Sequence, residues 1–223
     1  MNEFLWFATL LMTLIAALIF HRVLGKPGLY MVAVTSTVVC NLQVVKLIEV
    51  FGMTATLGNI VYAASFFSTD VLSEIYGKKE ATRAVWLGFF SLIMMTVWMQ
   101  FALWFQPSQF DQAQEHLSSI FKIMPRITIG SLSAYLLSQH HDVWAFHFWK
   151  KVTKNKYLWL RNNLSTMVSQ AIDTLTFCTI AFAGIYEMRV FWSIVLSTYV
   201  LKWLVALFDT PFIYIAVRWK EKI

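Results

Sequence analysis

Charged residues are scarce in this chain: Asp, Glu, Lys and Arg make up 13% of its 223 residues, against about 25% in a typical soluble domain. So little charge excludes a soluble enzyme domain. Only two cysteines occur, Cys40 and Cys178, both in apolar stretches, which argues against a disulfide framework or a cysteine metal site. The motifs HExxH and GxSxG and a glycine-rich phosphate loop are also missing. We therefore expect no catalytic residues, no cofactor, no metal and no ATP bound by this chain.

Hydrophobic residues, in contrast, make up 58% of the chain, and its mean hydropathy is +0.61. Apolar segments near the roughly 20 residues that cross hydrocarbon lie at 4–20, 28–50, 56–76, 84–105, 122–140, 163–185 and 190–217. The polar run at 139–142 interrupts the end of the fifth segment. The sequence predicts an all-α integral membrane protein, a single transmembrane domain over residues 1–223 with about seven helices, six plus one. The start Met-Asn-Glu has no basic residue, so we interpret the first segment as a retained helix and not as a signal peptide.

Basic residues fall in alternate loops of this arrangement. They follow the first span (Arg22, Lys26), the third (Lys78, Lys79, Arg83), the fifth (Lys150, Lys151, Lys154, Lys156, Arg161) and the seventh (Arg218, Lys220, Lys222). Loops rich in Lys and Arg stay in the cytoplasm. We therefore expect the N-terminus outside and the C-terminus in the cytoplasm. The net charge of +6 is then a matter of topology, which argues against a nucleic-acid partner and leaves membrane lipid as the surroundings.

Polar side chains remain inside the predicted spans. They are Asn41, Gln43, Lys46 and Glu49 on the second, Asn59, Asp70 and Glu74 on the third, Arg126 on the fifth, Gln170 and Asp173 on the sixth, and Lys202 and Asp209 on the seventh. A charged side chain at the bilayer centre costs about 2.5–3.5 kcal/mol. We therefore expect these residues to face the interior of the bundle and to pair with one another.

Helical spacing supports an inward polar face. Asn59, Asp70 and Glu74 fall on one stripe of the third span, while Asp173 and Lys202 lie near mid-membrane on their own spans. We predict that Asp173 and Lys202 are neighbours across the bundle. In-membrane ion pairs can also be purely structural and fix which helices pack together. That alternative stays open for each charged residue in these spans.

Three separated runs resemble one protein family. They are TDVLSEIYGKKEATRA from Thr69, RITIGSLSAYLLSQHHDVWAFHFWKK from Arg126 and RNNLSTMVSQAIDTLTF from Arg161. Together they are similar to the queuosine precursor transporters, also called the vitamin uptake transporter family. The resemblance implies an inner-membrane importer of 7-deazaguanine bases: 7-cyano-7-deazaguanine, 7-aminomethyl-7-deazaguanine or queuine. The motif positions that it carries over are Asp70, Glu74, Arg126, Asp142, Gln170 and Asp173.

The chemistry of a guanine-like edge agrees with the resemblance. Such an edge presents N–H donors at N1 and N2 beside an acceptor oxygen, so a carboxylate suits the donors, an amide or ammonium suits the oxygen, and aromatic rings stack on the base. The candidates are Asp173 and Asp70 as acceptors, Asn41, Gln170 and Lys202 as donors, and Phe66, Phe67, Trp98 and Phe177 as rings. Glu74 and Arg126 complete the predicted substrate site.

For mechanism we expect alternating access around a midplane site. A facilitator that relies on consumption of the base inside the cell is favoured over proton coupling through Asp70 or Glu74. Two other classes stay open: a substrate-binding subunit that needs a separate ATP-driven complex, and a membrane enzyme, against which the missing catalytic motifs argue. The basic loops fit a monomer and a homodimer equally, and a homodimer is the expectation.

Overall fold

The computed structural model describes the backbone of residues 1–152 and 158–220; the side chains at 139, 142–143, 146–147, 149–150, 158–166, 206–207, 210 and 220 are not described. Over these residues the chain is almost entirely helical. The elements are α1 (Asn2–Leu24), α2 (Lys26–Gln43), β1 (Leu47–Val50), β2 (Met53–Thr56), α3 (Asn59–Tyr76), α4 (Lys78–Trp104), α5 (Gln114–Phe121), α6 (Met124–Val152), α7 (Leu158–Phe182) and α8 (Met188–Lys220).

Within the described residues, four helical stretches are long and apolar enough to cross a membrane. They are Asn2–Leu24, Lys78–Trp104, Gln114–Ser138 and Met188–Val205. This agrees with the predicted all-α membrane protein. Helices α2 and α3 fall short of the same hydropathy, since each has only 18 residues and they carry Asn41, Asn59 and Asp70. The count of seven spans and the orientation of the termini stay predictions.

A β-hairpin takes the place of the end of the predicted second span. Helix α2 ends at Gln43, and β1 pairs antiparallel with β2. Phe51 and Gly52 form the two-residue turn, with φ of 52° and 72°. Positive φ at both central residues gives the turn a twist that matches the flanking strands, and glycine adopts it without strain. The prediction that the second span runs to residue 50 is therefore wrong.

The hairpin removes two charged residues from the predicted polar face of a membrane helix. Lys46 precedes β1 and Glu49 lies on it, so the two do not share a helical face. The Glu49 carboxylate instead accepts a hydrogen bond from the Thr54 hydroxyl at 2.6 Å. Asn2 Nδ2 donates to the Glu49 carbonyl at 2.7 Å, and the Thr54 N–H donates to Ser193 Oγ at 3.0 Å. These bonds fix the hairpin between the start of α1 and the start of α8.

Helix α6 runs without a break from Met124 to Val152, which settles the continuity of the fifth span that the polar run at 139–142 left open. A helix of 29 residues is about 43 Å long at 1.5 Å per residue, against roughly 30 Å of hydrocarbon. A polar run can therefore lie beyond the hydrocarbon without ending the helix. His141 Nδ1 lies 3.0 Å from Ser169 Oγ on α7, a contact between these two helices. The side chain of Asp142 lies outside the described residues.

Two apolar clusters hold the helices together. The first packs α1 with α2, α3, the hairpin and α8, and its fully buried members include Trp6, Leu10 and Phe67. The second packs α5, α6 and α7 against the first part of α8, around Phe182 and Ile194. Helices from both clusters line the cavity described below.

Basic residues from separate turns meet at one end of the bundle, which we call the basic end and define by Arg22, Lys26, Lys78, Lys79, Arg83 and Arg218. Lys26, after α1, forms a salt bridge with Glu80 at the start of α4, with 3.3 Å between Nζ and Oε2. The Arg22 guanidinium lies 5.0 Å from the ring centroid of Trp219 near the end of α8. The hairpin and the start of α1 lie together at the other end, the hairpin end. Three of the four predicted basic loops thus share one end.

Candidate functional site

A cavity of about 610 Å³ lies among α2, α3, α4, α6, α7 and α8, within the size range of small-molecule sites. Its lining contains no described residue of α1, so that helix packs against the bundle without reaching the cavity. On α4 the lining reaches Lys78 and Thr82 at the basic end, and toward the hairpin it reaches Val44 and Gly58. Gly58 has no room for a side chain, because an added Cβ would lie 2.2 Å from the Cys40 carbonyl oxygen. This close approach lets the start of α3 pack on the end of α2.

The centre of the cavity holds an ion pair between α7 and α8. Lys202 Nζ donates to Asp173 Oδ2, and the two side chains are 9% and 19% exposed, respectively. Lys202 also lies 3.3 Å from Thr174 Oγ1, and the Ser138 hydroxyl of α6 lies 3.5 Å from Asp173 Oδ1. The predicted pairing of Asp173 and Lys202 is confirmed. Each charge is offset by the other, which lets both side chains be largely buried.

Two amide side chains lie in the same cavity in different hydrogen-bonding states. Asn41 on α2 is fully engaged: its Nδ2 donates to the Thr37 carbonyl at 2.7 Å and its Oδ1 accepts from the Ser131 hydroxyl at 2.7 Å. Gln170 on α7 has a buried Oε1 with no hydrogen-bond partner among the described residues. A buried unpaired acceptor costs about 1–3 kcal/mol. Gln170 is therefore the amide with free capacity for a ligand donor.

A second pair of acidic residues lines the cavity nearer the basic end. Asp70 on α3 is exposed to the cavity, whereas Asp209 on α8 is only 5% exposed. Both residues line the same cavity, from the neighbouring helices α3 and α8. Their surroundings differ from those of Asp173, because neither has a salt bridge or hydrogen bond within the described part of the chain.

Aromatic rings form much of the remaining wall. The lining rings are Tyr62, Phe66, Phe89, Tyr135, Phe177 and Trp203. Tyr62 and Phe66 meet edge to face at 4.5 Å between centroids, and Phe89 and Tyr135 are 5.1 Å apart. Sequence reasoning named Phe66 and Phe177 but missed the others. Tyr62 could have been found, because it lies three and four residues from Asn59 and Phe66 on one face of α3.

Four side chains proposed for the site lie outside the cavity lining, and their reasons differ. Phe67 is fully buried in the first apolar cluster, since it follows Phe66 and points about 100° away around α3. Glu74 is exposed; it lies about 60° around α3 from Asn59, whereas Asp70 lies only about 20° away. Trp98, also proposed as a ring partner, is 64% exposed on the outer surface of α4.

Arg126, at the start of α6, has a structural role that the sequence did not suggest. Its Nε donates to the Ile180 carbonyl at 3.1 Å and its Nη2 to the Ala183 carbonyl at 2.9 Å. These carbonyls belong to the C-terminal end of α7, where unpaired backbone acceptors and the helix dipole favour a cation. Arg126 therefore caps α7 and lies outside the cavity lining, and its predicted place in the substrate site has no support in this geometry.

Throughout residues 1–152 and 158–220, no group of three or more described His, Cys, Asp or Glu side chains is placed to hold a metal ion. What the cavity offers is hydrogen-bonding groups, charges and ring faces, the components of a binding site for a small polar and aromatic molecule.

Comparisons with known proteins agree with this chemistry. Residues 56–216 match the sequence model of the family described as "Putative vitamin uptake transporter". The chain is 44% identical over 218 residues to a "Probable queuosine precursor transporter" of Bacillus subtilis (strain 168), covering 97% of this chain and 95% of that protein. It is 25% identical over 135 residues to a "Queuosine precursor transporter" of Escherichia coli (strain K12), covering 60% of this chain and 58% of that protein. No solved structure matches the chain.

The matched region contains nearly all of the cavity, since only four lining residues, Thr37, Cys40, Asn41 and Val44, precede residue 56. The names of these relatives describe transporters and not enzymes, and the several apolar helices fit a multi-pass membrane protein. The chain therefore belongs to the vitamin uptake transporter family, the family of the queuosine precursor transporters.

Proposed function

We propose that this chain is an inner-membrane importer that carries a 7-deazaguanine base, a queuosine precursor, through the cavity by alternating access. One observation carries the proposal: the Asp173–Lys202 pair and the unpaired oxygen of Gln170 lie together among aromatic rings. The printed names of the relatives support the substrate class.

The Asp173–Lys202 pair and the Gln170 amide together suit a guanine-like edge. Among the described side chains, Asp173 Oδ1 has one long contact, with the Ser138 hydroxyl at 3.5 Å, so it can accept an N–H from the base. The Gln170 oxygen takes the neighbouring N–H, and the third proton of the Lys202 ammonium serves the base oxygen. A purine without these donors leaves both acceptors buried and unpaired. Such a site therefore rejects it strongly.

The rings supply the rest of the binding energy. Phe66 and Tyr62 on α3 and Phe177 on α7 line the cavity from two sides. A planar base offers a π-face to each of them, and stacking on aromatic side chains is a common means of holding an unpaired base. The base is thus recognised at its edge by α7 and α8 and at its faces by rings.

The two ends of the bundle suggest the conformation. By the positive-inside rule, the basic end is cytoplasmic, which leaves the N-terminus and the hairpin outside. The cavity lining extends to Lys78 and Thr82 at the basic end, while the hairpin hydrogen-bonds to α1 and α8 at the other end. We interpret this arrangement as the inward-facing state. Movement of the hairpin away from α8 then opens the outward-facing state.

Consumption of the base inside the cell keeps its internal concentration low, and this gradient is sufficient to drive uptake. The carrier therefore works as a facilitator. The alternative, a substrate-binding subunit of an ATP-driven complex, predicts that the chain alone moves nothing. Purified protein in proteoliposomes separates the two. Uptake of the base by the chain alone supports the facilitator, and uptake only after addition of an ATPase complex contradicts it.

The function itself is tested by queuosine formation. The full chain is expressed in a bacterium that cannot make the 7-deazaguanine base and lacks its own importer, and each base is fed at nanomolar concentration. The wild type is expected to restore queuosine in tRNA. Asp173→Asn is expected to lower uptake at least tenfold, which corresponds to the loss of about one hydrogen bond to a charged group.

The matched control is Glu115→Gln, which makes the same kind of change on the exposed surface of α5, outside the cavity. Membrane levels of each variant are measured on the same cells, so that a loss of uptake is not confused with a loss of protein. If the wild type restores no queuosine from any of the three bases, the proposed substrate class is wrong. If Asp173→Asn equals the control, Asp173 is not in the site.

A further inference from the structure

The acidic pair Asp70 and Asp209 is not used by the recognition of the guanine edge described above. Asp209 is 5% exposed, lines the cavity, and has no hydrogen bond or salt bridge within the described residues. A buried carboxylate with no partner is costly in a membrane protein and marks a functional position far more often than a packing position. Asp70 lies near it and is likewise without a partner in the described part of the chain.

The position of the pair follows from how α3 and α8 run side by side. Asn59 at the start of α3 donates to Thr198 on α8 at 3.3 Å, and these residues are 139 positions apart. Asp70 and Asp209 are separated by the same number of positions, so each lies eleven residues further along its own helix. Parallel helices with this register bring the two carboxyl groups to the same level of the cavity. Both helices therefore present an acid at one place.

This level is separate from the guanine-edge site. Lys202 and Asp209 are seven residues apart on α8, which is two turns, so they share a face and lie about 10 Å apart along the axis. The cationic lining residues are Lys202, which is paired with Asp173, and Lys78, which forms no salt bridge among the described residues. Asp173 already neutralises the positive charge of Lys202. The acidic level therefore has an excess of negative character that a ligand cation can balance.

We propose that Asp70 and Asp209 form a subsite for the ammonium group of a cationic substrate, so that the carrier prefers a 7-deazaguanine with an aminoalkyl substituent to a neutral one of similar size. This inference rests on the proposed function. The C7 substituent leaves the five-membered ring, away from the N1 and N2 donors that the central site takes. A base held by Asp173 thus directs this substituent along the cavity, and an aliphatic amine is protonated at neutral pH.

The test compares two bases that differ in this one group. Uptake of 7-aminomethyl-7-deazaguanine and of 7-cyano-7-deazaguanine is measured over a range of concentrations in the same membranes, and the ratio of the half-saturating concentrations is taken. The ratio does not depend on how much protein folds. The wild type is expected to favour the aminomethyl base by about tenfold or more, the usual worth of a hydrogen bond to a charged group. Asp209→Asn is expected to bring the ratio close to one.

Asp70→Asn, at a position exposed to the cavity, is the second variant and keeps the test valid if Asp209→Asn does not fold. Glu74→Gln, one turn further on α3 and outside the lining, is the matched control and is expected to keep the wild-type ratio. A wild-type ratio near one overturns the inference while leaving the proposed function intact. A ratio that is unchanged in both aspartate variants overturns it too. Uptake that depends equally on sodium for both bases also overturns it, because the acidic pair then binds a metal cation. Uptake of neither base by the wild type is the separate failure of the proposed function.

Discussion

The two levels of the cavity hold the same kind of side chain in opposite electrostatic states. At the central level, Asp173 is neutralised by Lys202 and further contacted by Ser138. At the level nearer the basic end, the register of α3 and α8 places Asp70 and Asp209 together, and neither forms a salt bridge within the described part of the protein. The central pair is complete without a ligand, whereas the acidic pair is not. A carrier must release its substrate, and this division gives it one level that is stable when empty and one that gains most from a bound cation.

The largest expected effect comes from breaking the central pair. Lys202→Met leaves Asp173 buried without its cation, and removal of one partner of a buried ion pair costs about 3–5 kcal/mol. We expect much less folded protein in the membrane and a clearly lower melting temperature in detergent. The measurement is fluorescence-detected size exclusion after heating. An unchanged melting temperature would contradict the view that Asp173 depends on Lys202.

The double variant Asp173→Asn with Lys202→Met sharpens the same comparison. With both charges gone, no uncompensated ion remains, so stability is expected to return most of the way to that of the wild type. Uptake of the base is expected to stay lost, because the acceptor and the donor for the guanine edge are both missing. A double variant that recovers stability and uptake together assigns the pair a purely structural role.

The acidic level predicts a smaller effect of opposite sign. Asp209→Asn removes a buried carboxylate that has no hydrogen bond or salt bridge within the described residues. We expect the variant without ligand to be more stable than the wild type by about 1 kcal/mol, or ~2–4 °C in melting temperature. Added aminomethyl base is expected to stabilise the wild type and not the variant. A lower melting temperature of the variant contradicts the idea that this carboxylate is unpaired in the empty carrier.

Much of the cavity could be predicted from the sequence, because polar side chains in membrane helices avoid lipid and face the interior of the bundle. The cost of exposing a charge to lipid drives Asp173, Lys202, Gln170 and Asp70 inward, and the structure places all four in the lining. Asn41 follows the same rule. The presence of the long helices was predictable for a similar reason, since long apolar runs in a membrane have few alternatives to a helix, but the ends of α2 at Gln43 and α6 at Val152 were not.

The errors have physical causes that a single sequence does not reveal. The hairpin at 47–56 is apolar enough to extend a predicted span, and only the register of its strands and the positive φ of Phe51 distinguish it from a helix end. In the sequence, Arg126 cannot be distinguished from any other charged residue of a membrane segment. Its partners are backbone carbonyls of α7, and every residue type has such a carbonyl. Asp209 was seen as polar, but its pairing with Asp70 depends on the register of α3 and α8.

The smallest effect is expected one turn beyond Asp70. Glu74 was predicted to share the site because it falls four residues further along α3, but each such step turns about 40° around the axis, and the accumulated rotation carries its side chain out of the lining. Glu74→Gln is therefore expected to change neither uptake of either base nor the melting temperature. Asp70→Asn, the same chemical change on the same helix, is expected to lower uptake of the aminomethyl base about tenfold. Equal losses in both variants mean that the acidic level extends along α3 to its end, and the distinction between the two levels of the cavity then fails.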